Sequence, residues 1–193
     1  NDAVSDIWTV ICIKETYTLD NLKERRVWIQ GEKSGRTALI QDFLFGNASF
    51  EFNFKTGQSY FAVLYFYPGN LRQRAIITEL EWVENPEPKT FSQSINDYKK
   101  SAAEKLTLNP WLRLDAAILE NVIPLTDKQG KIYLKDVDSN LLPVNNSNET
   151  AVYKILSISG GNPVSIAGEY DFNGIEVLSI LDKERKSISS ITD

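Results

Sequence analysis

Gly31–Ile40, GEKSGRTALI, gathers two glycines, a lysine, a serine and a threonine, the residue types of the phosphate-wrapping loop G-x-x-x-x-G-K-[ST]. Its reading separates a nucleotide loop, which runs into a helix, from a turn between strands. A phosphate loop uses the helix amino terminus to supply anion-binding N–H groups. Here three residues separate the glycines, arginine stands where lysine belongs, and TALIQDFLF continues as a strand. A three-residue hairpin loop accounts for the same letters: Lys33 and Ser34 fill a type I turn and Gly35 takes the left-handed conformation, with Gly31 entering the turn.

That hairpin predicts a register. With Glu32 opposite Arg36, Gln30 pairs with Ala38, Trp28 with Ile40 and Arg26 with Asp42 on one face, leaving Val27, Ile29, Leu39 and Phe43 on the other. Two readings follow. Arg26–Asp42 and Glu32–Arg36 are cross-strand ladder pairs around a packed Trp28, each contributing ~0.2–1 kcal/mol. Alternatively Arg26, Trp28, Glu32, Arg36 and Asp42 form a recognition surface, since Trp and Arg are frequent binding anchors.

Outward from the hairpin, the first part of the chain reads as strands: IWTVICIKETY, RRVWIQGE, RTALIQDFLF, FEFNF, SYFAVLYFYPG and AIITELEWV, broken by GEKSG, GNAS, KTGQ and PGN. FEFNF places Phe50, Phe52 and Phe54 on one face, and SYFAVLYFY, apolar on both, reads as a central strand. The fold class expected is α+β: a β-rich antiparallel meander or partly closed barrel of about six strands over residues 1–88, then a smaller mixed unit over 89–193. Two prolines and charged residues in VENPEPKTFS mark the boundary near residue 88.

In the second unit Ile95, Tyr98, Ala102 and Leu106 recur at helical spacing, with Thr90, Ser92 or Gln93 to cap the start. NPWLRLDAAILENVI reads as a second helix, capped by Asn109 with Pro110 in its first turn. A strand KIYLK, a run AVYKILSIS that suits helix or strand and is tilted towards helix by Val152, Ile155, Leu156 and the terminal Gly160 and Gly161, and strands PVSIAGEYDF and GIEVLSIL follow; the polar tail DKERKSISSITD should fray. Trp82 and Trp111 flank the stiff linker, so the units are expected to dock as one body with one or both tryptophans, Trp111 above all as a binding residue, in the shared interface.

Composition excludes more than it suggests. The 193 residues are 42% hydrophobic and carry a net charge of −5, with one cysteine and no histidine. Bulk attraction to nucleic acid or anionic membrane is disfavoured. Ser-His-Asp and Cys-His catalysis and the usual Cys/His zinc sites cannot be built, and Cys12 in IWTVICI reads as a core residue of a reducing, cytoplasmic compartment. No apolar run has membrane-spanning length. DVDSN, Asp136–Asn140, starts like a calcium loop but has Leu141 where glycine should turn the chain, so a strand-connecting turn is expected. Glu169 and Asp171 would share a strand face, the arrangement of a hydrolase's carboxylate pair, although acidic strands commonly offer one.

Several stretches also carry a resemblance. RRVWIQGEKSGRTALIQDF, YFYPGNLRQRAII, NPWL, NVIPL, LLPV and ILSISGGNPVSIAGEYDFNGIEVLSI occur in the order seen in the carboxy-terminal half of bacterial SWIM zinc finger family proteins. The resemblance runs from DIWTV to VLSI, and its centre is W-x-x-G-E-x-S-G-R-x-A-L-x-x-D-F. The family's C-x-C and C-x-H zinc signature has no counterpart; with the missing methionine, this suggests a piece of a longer protein. The resemblance implies a non-catalytic domain that binds a protein partner without cofactor or metal, as an adaptor beside MoxR-type AAA+ ATPases and von Willebrand A domain proteins. Nucleic-acid binding around Trp28 is the alternative, and neither ATP nor zinc should bind.

Overall fold

IWTVICIKETY lies within the first strand, β1 (Ala3–Tyr17), of the computed structural model, which describes residues 3–18, 22–46, 48–84, 92–145, 149–182 and 187–191. By internal contacts the chain divides into two units, Asn1–Thr90 and Phe91–Asp193. The expected boundary at ENPEPK lies outside the described residues.

In the first unit β1 is joined by β2 (Lys23–Gly31), β3 (Thr37–Leu44), β4 (Ser59–Phe66) and β5 (Ala75–Trp82) in an antiparallel sheet of order β3-β2-β1-β4-β5. β1 is the middle strand, and β4, read as central, is interior, with β1 and β5 on its two sides. One face carries Trp8, Val10, Val27, Ile29, Ala38, Ile40, Ala62 and Leu64, which form a buried core with Phe54, Tyr60, Phe66 and Ala75. The sheet bends until β3 and β5 touch at one parallel bridge, Leu39–Arg74, but it stays open. The partly closed barrel is not formed, and five strands replace six.

FEFNF is the missing strand. Its alternation is real, since the Phe52 and Phe54 rings lie 6.0 Å apart and Phe54 meets Tyr60 edge-on at 5.5 Å. Its backbone, however, is satisfied by side chains: Arg25 Nη1 donates to the Phe52 carbonyl at 2.8 Å and the Tyr60 hydroxyl to that of Asn53 at 3.3 Å. The segment covers the core instead of extending the sheet.

The second unit opens with α1 (Ile95–Leu108), whose Ile95, Tyr98 and Ala102 are buried as expected; Ser94 is the cap, accepting from the Asp97 N–H at 3.1 Å. β6 (Asp115–Thr126), β7 (Ile132–Lys135) and β8 (Leu141–Pro143) follow, then α2 (Glu149–Ser159), β9 (Val164–Tyr170), β10 (Ile175–Asp182) and β11 (Ser187–Ser190). The six strands form one antiparallel sheet of order β11-β10-β9-β6-β7-β8, and both helices pack into a core with Leu119, Leu134, Leu142, Ile166 and Val177. This unit mixes two helices with six strands, as expected, but it is not the smaller one.

Two expectations fail here. The proposed second helix is β6: Asn109 ends α1, its N–H bonding the Lys105 carbonyl at 2.9 Å, and does not start another helix. In the tail, Ser187–Ser190 pairs with β10. At the end of α2, Gly160 and Gly161 both have positive φ, 52° and 84°, and Gly160 donates to the Leu156 carbonyl, so the run stops as its glycines predict.

Candidate functional site

The β2–β3 turn holds four residues, Glu32–Gly35, one more than the sequence suggested. Gly31 donates to the Arg36 carbonyl at 2.9 Å, Gly35 donates back to Gly31 at 3.0 Å, and Gly35 has the expected positive φ of 63°. An anion organises the loop: the Lys33 and Ser34 N–H groups donate to the Asp6 carboxylate at 3.1 and 2.8 Å, as does that of Ile7 at 2.8 Å. The amides that resemble a phosphate cradle are turned on the chain's own carboxylate. Burial works to raise the Asp6 carboxyl, but the hydrogen bonds from Ser34, Lys33 and Ile7 outweigh it and hold it below its ordinary range.

The extra loop residue shifts the register by one, which turns every β3 side chain to the opposite face. Gln30 pairs with Thr37, Trp28 with Leu39, Arg26 with Gln41, and Asp42 falls opposite Arg25. Arg25, only 4% exposed, donates through Nε and Nη2 to Asp42, and its guanidinium lies 3.8 Å from the Phe50 ring centre. Arg26 instead donates to Glu24 at 2.8 Å, and Glu24 also accepts from Gln41 and Thr16. Against burial, those bonds and the Arg26 charge lower the Glu24 carboxyl. Arg36 does not face Glu32; it opposes Gly31 and lies over the Phe66 ring at 4.0 Å.

Trp28 is completely buried. It presents no surface to a partner, so the recognition face proposed around it is not assembled. Arg25–Asp42, Arg26–Glu24 and Asp6 with its loop are partly buried ties within the chain. Removing one member of such a tie leaves an uncompensated group, which is a structural cost and not a binding signal.

Trp111 is different. It is 88% exposed, and Leu108 one turn earlier is 50% exposed. Asn109 sets the turn that carries them: its side-chain oxygen accepts from the Trp111 N–H at 3.1 Å and its carbonyl from Leu112 at 3.0 Å. Trp82 is also 59% exposed. A large indole presented on a hydrogen-bonded turn loses little conformational entropy on binding, the property of an interaction anchor.

The remaining polar constellations serve the fold. Asp136 accepts from the Asp138 and Asn140 N–H groups and from the Asn140 amide, making DVDSN the expected turn, here between β7 and β8. Glu169 is buried on β9, whereas Asp171 lies beyond the strand and accepts from the Asn173 and Gly174 N–H groups, so the two do not form a facing pair. Sequence reasoning missed a cluster in the second unit. Fully buried Asp115 on β6 accepts from Lys105 at 2.7 Å and from the Tyr98 hydroxyl at 3.1 Å, both on α1. Burial, then the Asp115 charge, pushes the Tyr98 phenol far up. The signal was available: Tyr98 and Lys105 are seven apart, on one helix face, and Asp115 interrupts an apolar run.

Among the described residues no three His, Cys, Asp or Glu side chains are grouped to hold a metal, and no helix is long and apolar enough to cross a membrane. No family model, curated protein or solved structure matches this chain.

Proposed function

We propose that the chain is a non-catalytic protein-interaction domain whose second unit engages a partner through Trp111. The exposure of that indole on a turn fixed by Asn109 is the observation that carries the reading. Leu108 adds apolar area beside it, and such anchors dominate the energetics of many interfaces. The resemblance to the finger-less half of SWIM zinc finger proteins supports the same class, an adaptor serving a MoxR-type ATPase and von Willebrand A domain system in a bacterial cytoplasm.

The test compares proteins captured from a native-host lysate by the unaltered chain and by Trp111→Ala. An exposed truncation of this kind leaves stability within about 0.5 kcal/mol, so a matching thermal midpoint certifies the variant. At least one host protein should be captured by the first and lost with the second. Identical capture by both, or capture that salt and nuclease remove, would overturn the reading, the latter in favour of nucleic-acid binding.

A further inference from the structure

We propose that β5 receives an extended segment of a partner protein in which basic residues alternate with apolar ones, added as a strand along the free edge of β5. The proposal does not rest on the reading of Trp111.

Pairing fixes which side chains share a sheet face with those of β5. Tyr65 lies between Ala3 and Ile76, Val63 between Ser5 and Glu79, and Phe61 between Ile7 and Glu81. Those three rows form an apolar spine of Ile7, Phe61, Val63, Tyr65 and Ile76, with Phe61 38% and Ile76 48% exposed. Two exposed carboxylates, Glu79 and Glu81, border it on β5. The rows hold no lysine or arginine; Arg74, in the next row, lies over the Tyr67 ring. Beyond the Leu39–Arg74 bridge, β5 is the last strand of its sheet among the described residues.

The charges select the occupant. An edge strand offers unpaired N–H and C=O groups to any extended segment. A second copy adding antiparallel in the register centred on Leu80 would bring Glu79 against Glu81, and like charges directly opposite are destabilising. Anionic lipid and nucleic acid meet the same repulsion. A segment with lysine or arginine at alternate positions places those cations opposite Glu79 and Glu81. Its intervening side chains then fall on the other face, beside Leu80 and the exposed Trp82, which pairs with Tyr60. Such a segment uses both faces of β5.

The probe is a capped peptide of alternating lysine and valine, titrated into the isotope-labelled full chain and followed by amide chemical shifts, with a glutamate-for-lysine peptide as control. Shifts should concentrate on Ile76–Trp82 and their β4 neighbours, weaken with added salt, and be absent with the control. Charge reversal in Glu79→Lys/Glu81→Lys should weaken binding about tenfold, and Trp82→Ala should weaken it as well. Glu79→Gln/Glu81→Gln, which only neutralises the edge, keeps the test valid if the reversed variant folds poorly. No shifts at β5, equal response to the glutamate peptide, or a self-association interface that maps to β5 would each overturn the proposal.

Discussion

Gly31 and Gly35 bracket one turn for different reasons. A Cβ on Gly31 would strike the Asp6 carboxylate and the Ser34 hydroxyl, whereas Gly35 is required by its positive φ. Gly35→Ala should therefore cost about 1 kcal/mol, the penalty of a left-handed alanine. Gly31→Ala should cost about 2–3 kcal/mol by overpacking, and less in an Asp6→Ala background, where the obstructing carboxylate is gone. Urea denaturation of the four proteins gives the coupling; strict additivity would show that Asp6 does not shape the loop. Both glycines were legible as turn residues. The fourth loop residue was not, because the partner that sets the loop length lies 27 positions upstream of Lys33.

Among the elements, the strands of the first unit were readable from β-branched and aromatic runs, and α2 from its terminal glycines. β6 was not. Its first five residues are all buried, so both faces are covered and no period of two survives. Such a run cannot be told from a buried helix by periodicity, and Asn109–Pro110 before it suits the end of one helix as well as the start of another. A local consequence concerns Gly168 on β9, which pairs with Ala117 on one side and Val177 on the other, beside the register break between Val177 and Ser179. A Cβ there would collide with the Glu176 carbonyl, a backbone atom that has no rotamer in which to escape. Gly168→Ala should lower stability by about 2–3 kcal/mol, read as an earlier denaturation midpoint. An unchanged midpoint would mean that the β9–β10 ladder yields more than its geometry implies.

Across the whole molecule, carboxylates with lowered pKa values occur in both units: Asp6 and Glu24 in the first, and in the second Asp136, where the bonds from Asn140 and Asp138 outweigh burial. A carboxyl more acidic folded than unfolded contributes stability that is complete above its unfolded pKa and lost as pH falls through the folded one. The thermal midpoint should hold steady near neutrality and drop below the ordinary carboxylate range. Asp6→Asn should start lower at neutral pH and decline less steeply in acid; an unaltered acid slope would remove Asp6 from that account. The candidate site was only partly legible at this scale. Trp111 was named as a binding residue for its size; its exposure depends on how the surrounding chain packs, which a list of apolar residues does not contain.

The central place of β1 has a kinetic side. β1 is completed by β2, close behind it, and by β4, whose Tyr65 pairs with Ala3 across most of the unit's length. The β1–β2–β3 ribbon is a local structure that forms quickly, whereas the β1–β4 ladder must close a long loop before any of its contacts contribute. During synthesis the first unit waits as a three-stranded ribbon in which β1 is an edge, one side bare until β4 has emerged. The rate at which that ladder zips sets how long the edge is open to misassociation.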